Sequence, residues 1–193
     1  MVLGIEVEPL RDACIAWQGG RDGGSSPIRA AARVLTETKH YFEADFITQL
    51  ESEAAADDQT MARARVLLDE LATRPSLTIP EWSEQTGIET PWVGRGIRSA
   101  AQDDQIERAL ESGTIRMPLW CLSLSRDVAL SFGDRFLFEL VGPFPAIAAW
   151  QESDFKHDER ELIAGGRYDV IGMSTADGRT LVQLQFAGPV TGR

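Results

Sequence analysis

Cysteine and histidine are scarce in this 193-residue chain, with two of each, and their placement excludes several chemistries. Cys14 and Cys121 lie far apart with no Cys-x-x-Cys pair, so neither a zinc cage nor a disulfide framework is indicated, and a reducing compartment suits the chain. His40 and His157 each lack a neighbouring His, Cys or regularly spaced carboxylate, so no metal is expected. No apolar run approaches the ~18 residues of a bilayer span. Residues 1–10 lack the basic and apolar regions of a signal peptide, so the expectation is a cytoplasmic protein, or one delivered by a specialised route, with no membrane partner. Basic charge is also short. Against 30 Asp and Glu there are 19 Lys and Arg, a net charge of -11. That balance argues against nucleic acid as a partner, and an anionic ligand would need a locally positive site. Nothing in the sequence specifies an oligomer, and a monomer is the default.

What is present is an ordinary globular composition, 43% hydrophobic and 25% charged, arranged in two unlike halves of one α+β domain. Residues 1–89 read as a helical lobe. Ser26-Pro27 suggests an N-cap, and Ile28, Leu35, Phe42, Phe46 and Leu50 recur along one face of a long amphipathic helix. A second helix begins near Thr60, carries Met61, Leu67, Leu68 and Leu71, and should stop at Arg74-Pro75. Residues 78–89 read as a connector. Residues 90–193 turn to short strands, 135–141, 146–150, 161–164, 168–173 and 180–186, with a helix over 102–112 and a shorter one capped by Ser125 and closed by Gly133. Trp92, Trp120 and Trp150 are expected in the core of this β-rich half, with the leading helices packed on its side.

Three features of the second half carry chemical potential. Arg95 ends a predicted strand between Gly94 and Gly96, which would let a ligand approach the backbone, and its planar fork suits a pyrophosphate. Ser123-Leu124-Ser125 sets two hydroxyls on one side of a strand, where they can orient a carboxylate or an Arg. Glu159-Arg160-Glu161 places two carboxylates at a strand entry, where they can divide acid–base and electrostatic roles. Each has a plain alternative: a surface charge beside a turn, an edge strand running into a Ser cap, and a solvated charge run.

Taken in order, WVGRGI, WCLSLSRDVALSFG, FLFELVGPFPAIAAW and FKHDERELIAGGRYDVIGM resemble the mono-ADP-ribosyltransferases of the Arg-Ser-Glu class over residues 90–186. The family's catalytic Arg maps to Arg95, its Ser-Thr-Ser motif to Ser123, Leu124 and Ser125, and its Glu-x-Glu motif to Glu159 and Glu161. Leu124 stands where Thr is usual. The resemblance implies a split β-sandwich with helices packed against it. It implies NAD as co-substrate, release of nicotinamide, and transfer of ADP-ribose to an arginine side chain of a target protein by a toxin or effector. A cognate immunity or antitoxin protein would be a further partner.

Cleavage of the nicotinamide–ribose bond passes through an oxocarbenium-like state, so a carboxylate near the ribose stabilises the charge that develops. By resemblance that carboxylate is Glu161, Arg95 holds the phosphates beside Gly96, and Ser123 orients Glu161 and the nicotinamide ribose with Ser125 nearby. Glu159 would take a proton from the acceptor, and Glu at that position goes with arginine as acceptor. Arg135 sits where relatives often place a second phosphate-contacting Arg, and Phe155 is the candidate contact to the target. A glycohydrolase using water in the same pocket, and an acidic binding module acting through its helical half, remain alternative readings.

Overall fold

The computed structural model describes residues 8–19, 24–38, 56–89, 92–97, 103–133, 135–155, 160–176 and 178–190. His40, Phe42, Phe46, Leu50, His157 and Glu159 lie outside them. Four helices come first: α1 (Pro9–Trp17), α2 (Ser25–Leu35), α3 (Asp58–Thr73) and α4 (Ile79–Thr86). The remainder runs β1 (Gly94–Ile97), α5 (Asp103–Glu111), β2 (Thr114–Ser123), α6 (Arg126–Phe132), β3 (Phe136–Val141), β4 (Ala146–Ala148), α7 (Ala149–Ser153), β5 (Glu161–Ala176) and β6 (Arg179–Gly188).

Several helix boundaries differ from the sequence expectation. The N-cap of α2 is Gly24, at φ 72°, and Ser26 lies in the first turn, where its Oγ accepts from Arg29 Nη2 at 3.1 Å. The predicted continuation of α2 beyond Leu35 fails because Glu37 adopts φ 51° and closes a Schellman turn, with Thr38 N donating to Arg33 O at 3.0 Å and Glu37 N to Val34 O at 3.3 Å. Glutamate gives no warning of a left-handed residue. α3 starts at the Asp57 cap, whose side chain accepts from Thr60 N at 2.7 Å, and ends before Arg74, extended at ψ 142° ahead of Pro75. Residues 78–89 contain α4 and not a connector alone. Thr78 and Glu81 form a reciprocal capping box, Pro80 sits in the first turn, and Gly87 closes the helix in the left-handed region. The strand expected over 146–150 stops at Ala148, so Trp150 is helical. The strands expected over 161–164 and 168–173 form one strand, β5.

The strands form one mixed sheet in the order β2-β1-β3-β6-β5-β4, and β2 also pairs with β5, so the hydrogen-bonded path returns on itself. β3 and β6 run parallel, and the other pairs are antiparallel. Inside lies a core built on Ile115, Met117, Trp120, Leu122, Phe138, Leu140, Tyr168, Val182 and Leu184. A bulge between Met117 and Trp120 fits Pro118, which lacks a ladder N–H, and it turns Leu119 and Cys121 to the other face. There Leu119, Ile147 and Ile163 meet Trp17, Ile28, Ala31, Ala32, Leu67 and Leu71 of α1, α2 and α3. Residues 117–122 of β2 and 162–164 of β5 are thus covered on both faces, which is why MPLWCL and LIA read as unbroken apolar runs. Of the three tryptophans expected in the core, Trp120 and Trp150 are buried and Trp92 is half-buried. Ion pairs fasten the helices: Arg63 Nε to Asp12 at 2.8 Å joins α3 to α1, and Arg74 Nη2 to Glu152 at 2.6 Å joins the end of α3 to α7.

Candidate active site

Strand register unites the three motifs. Ser123, the last residue of β2, has Gly94 of β1 as its Cα partner on one side and Glu161, the first residue of β5, on the other. Arg95 follows Gly94, so a guanidinium, a hydroxyl and a carboxylate from three adjacent strands border one cavity of about 400 Å³. Gly96 lines it as well, with Val128, Ala129 and Phe132 of α6 on one flank and Trp17, Gln18, Ser25 and Arg29 of the helical lobe on another. The chain is strongly acidic, yet among the charged residues lining this cavity two guanidinia, Arg29 and Arg95, outweigh the single carboxylate of Glu161. An anionic ligand therefore finds here the locally positive site it requires.

The glycines flanking Arg95 have a packing reason besides ligand access. A Cβ at Gly96 would lie 2.0 Å from Gly133 O and 2.3 Å from Ala129 O, and one at Gly94 would lie 2.1 Å from Phe138 O. β1 is wedged between β3 and the end of α6, and only glycine fits at these alternate positions. The guanidinium of Arg95, on the residue between them, donates from Nη1 to Cys121 O at 3.3 Å.

Ser123 is buried, and its Oγ accepts from Ser125 N at 3.0 Å, which leaves the hydroxyl proton available to a ligand or a carboxylate. Ser125 caps α6 by accepting from Val128 N at 3.4 Å and is not among the cavity-lining residues. Leu124 points into the sheet core, which accounts for an apolar residue at the middle of this motif. Its N–H donates to Arg160 O at 3.3 Å, and Arg160 itself adopts φ 47°. Arg135 is exposed at the start of β3, where its carbonyl accepts from Thr180 N at 2.8 Å, and it does not line the cavity. Phe155 is 40% exposed. Its N–H donates to Ser153 Oγ at 3.2 Å. Glu159 lies outside the described residues.

Trp17, Gln18 and Arg29 escape the sequence motifs. Trp17 Nε1 donates to Glu161 Oε1 at 2.9 Å across 144 positions of sequence, a contact no local pattern announces. Arg29 is buried amid the small apolar residues of α2, and a cation on that face was the one available signal. Among the described residues no group of His, Cys, Asp or Glu is placed to hold a metal ion.

Burial, with the Glu161 carboxylate adding to it, pushes the Cys121 thiol up to about 12, and burial with Glu152 pushes Cys14 up to about 12, from an ordinary 9.0. Both thiols stay protonated near neutrality, so alkylation of the native protein by iodoacetamide at pH 8 is expected to be slow and to become rapid in urea. The unfolded chain sheds these protons from about pH 9 while the folded chain holds them to about 12. Their contribution to stability is therefore intact below pH 9 and lost between pH 9 and 12. Urea melts across that range check the sign.

No protein-family model matches the chain, and no curated protein matches its sequence. Solved structures do match in fold. The Vis toxin of Vibrio splendidus, an ADP-ribosyltransferase, superposes with a TM-score of 0.52 at 14% identity, covering 95% of this chain and 75% of Vis. An ADP-ribosyltransferase of Clostridium botulinum gives 0.52 at 10% identity, covering 93% of this chain and 87% of that one. The C3 exoenzyme of Clostridium limosum gives 0.50 at 10% identity, covering 94% and 86%. The chain has the α+β fold of ADP-ribosyltransferase toxins.

Proposed function

We propose that the protein transfers ADP-ribose from NAD to an arginine side chain of a target protein, releasing nicotinamide, and acts as a toxin or effector. The observation that carries the reading is the Gly94–Ser123–Glu161 register, which sets Arg95, Ser123 and Glu161 around one cavity in a fold shared with ADP-ribosyltransferases. The cavity residues fit NAD: Arg95, together with Arg29 of the helical lobe, supplies positive charge for the pyrophosphate, and Gly96 lets the ligand lie close to β1. Arg135 and Ser125 are not among the residues lining the cavity, and their NAD contacts are proposed as secondary to those of Arg29, Arg95 and Ser123.

Glu161 carries the negative charge that stabilises the ribose as its bond to the nicotinamide nitrogen breaks and nicotinamide leaves with the electron pair. Ser123, its oxygen engaged by Ser125 N–H, directs its proton toward Glu161 or the ribose. The acceptor guanidinium then attacks the ribose carbon, and Glu159 takes the proton it releases. A Vis complex contains agmatine, a molecule ending in the same guanidinium as arginine, and that supports arginine as the acceptor. Phe155, exposed at the approach to β5, is the proposed contact to the target.

Glu159→Ala tests the division of labour. Nicotinamide release into water is expected to persist while transfer to protein falls about 100-fold or more, the usual scale of a lost general base. Equal loss of both activities would show that Glu159 does not serve the acceptor alone. A wild-type protein that released nicotinamide and never labelled protein would be a glycohydrolase.

A further inference from the structure

Resting on the transferase reading, the C-terminal turn of α1 extends the site beyond its three motifs. Trp17 and Gln18 are consecutive, both are buried, and both line the cavity. The indole N–H of Trp17 donates to Glu161 Oε1 at 2.9 Å. A charge-assisted bond from a rigid, fully packed ring fixes one carboxylate oxygen and so sets the direction of the other. Trp17 itself is held by the apolar cluster of α1, α2 and α3.

Gln18 is oriented differently. Ser153 Oγ accepts from Phe155 N at 3.2 Å and donates to Gln18 Oε1 at 2.5 Å, which turns the amide nitrogen the other way. That Nε2 is buried and has no hydrogen-bond partner among the described residues. Leaving a buried donor unsatisfied is unfavourable, and the penalty is recovered when a ligand brings an acceptor. Its sequence neighbour touches the carboxylate placed at the nicotinamide ribose, so the acceptor belongs to the nicotinamide half of NAD.

We propose that this turn is part of the active site: Trp17 is a positioning residue for Glu161, and Gln18 binds NAD through its amide nitrogen. The test uses the full chain and measures NAD affinity by calorimetry and nicotinamide release at varied NAD. Trp17→Phe keeps an aromatic ring and removes the donor. It is expected to lower kcat by about 10- to 100-fold, the rate equivalent of one hydrogen bond to a charged group, with KM changed less than about threefold.

Placing benzothienylalanine at position 17 preserves the shape of tryptophan without the N–H, and it should reproduce that loss with an unchanged melting temperature. Gln18→Glu keeps an oxygen for Ser153 and replaces the donor, and it should weaken NAD binding about tenfold or more. Wild-type kcat in the position-17 variants, or wild-type NAD affinity in Gln18→Glu, overturns the inference while leaving the transferase reading in place. Wild-type protein that neither binds nor cleaves NAD overturns the reading itself.

Discussion

Glu161→Gln is expected to abolish nicotinamide release and protein labelling together, by about 1,000-fold or more, while the protein stays folded. The substitution is isosteric, so the register of Glu161 with Ser123 and the burial of β5 beside Leu162 and Ile163 are retained. A glutamine oxygen can still accept from Trp17 Nε1. What is lost is the negative charge beside the ribose, and preorganised electrostatic stabilisation of this kind is commonly worth about 100- to 1,000-fold for a single donor, more for a full charge. Circular dichroism and a melting temperature close to wild type, alongside the two activity readouts, separate loss of charge from loss of fold. Residual turnover within tenfold of wild type would remove Glu161 from the chemistry.

Trp120→Ala is expected to cost roughly 3–5 kcal/mol of stability, the range for a truncated core aromatic. Trp120 is fully buried, its ring packs 5.4 Å from Tyr168 and 6.2 Å from Phe138, and its Nε1 donates to the Tyr168 hydroxyl at 3.3 Å. Truncation opens a cavity at the centre of the sheet and leaves that hydroxyl, whose ionisation burial already suppresses, with one partner fewer. Against a typical total of about 5–15 kcal/mol, the change is a large fraction of what holds the domain together. Urea unfolding should show a much lower midpoint, and Trp120→Phe should recover part of the loss by refilling the space. A midpoint unchanged in Trp120→Ala would mean that β2 and β5 are not the mechanical centre of the fold.

The β-rich half was legible because its signals are local or strictly periodic. Val182, Leu184 and Phe186 alternate with polar residues and face the core, Ser125 and Gly133 bracket α6, and Gly113 closes α5. The ordered motifs likewise pointed to Arg95, Ser123 and Glu161, and pairing through Gly94 and Ser123 supplies the reason they meet. α4 could have been read from its capping box, Thr78-x-x-Glu81 with Pro80 between, had Pro80 and Trp82 not suggested a connector. The end of α2 could not, because its Schellman turn uses Glu37 where glycine would have given the signal. The helical wall of the cavity was also hidden. Trp17, Gln18 and Arg29 look like ordinary members of amphipathic helices, and only tertiary packing brings them to residues more than 60 positions away.

The most direct test of the account is to incubate the purified protein with NAD labelled in its adenylate half, with agmatine or cell lysate as acceptor, and to follow free nicotinamide and labelled acceptor together. The account predicts stoichiometric nicotinamide release and label on the guanidinium compound or on protein arginine, both absent with Glu161→Gln. Folded wild-type protein that releases no nicotinamide and labels nothing would contradict it.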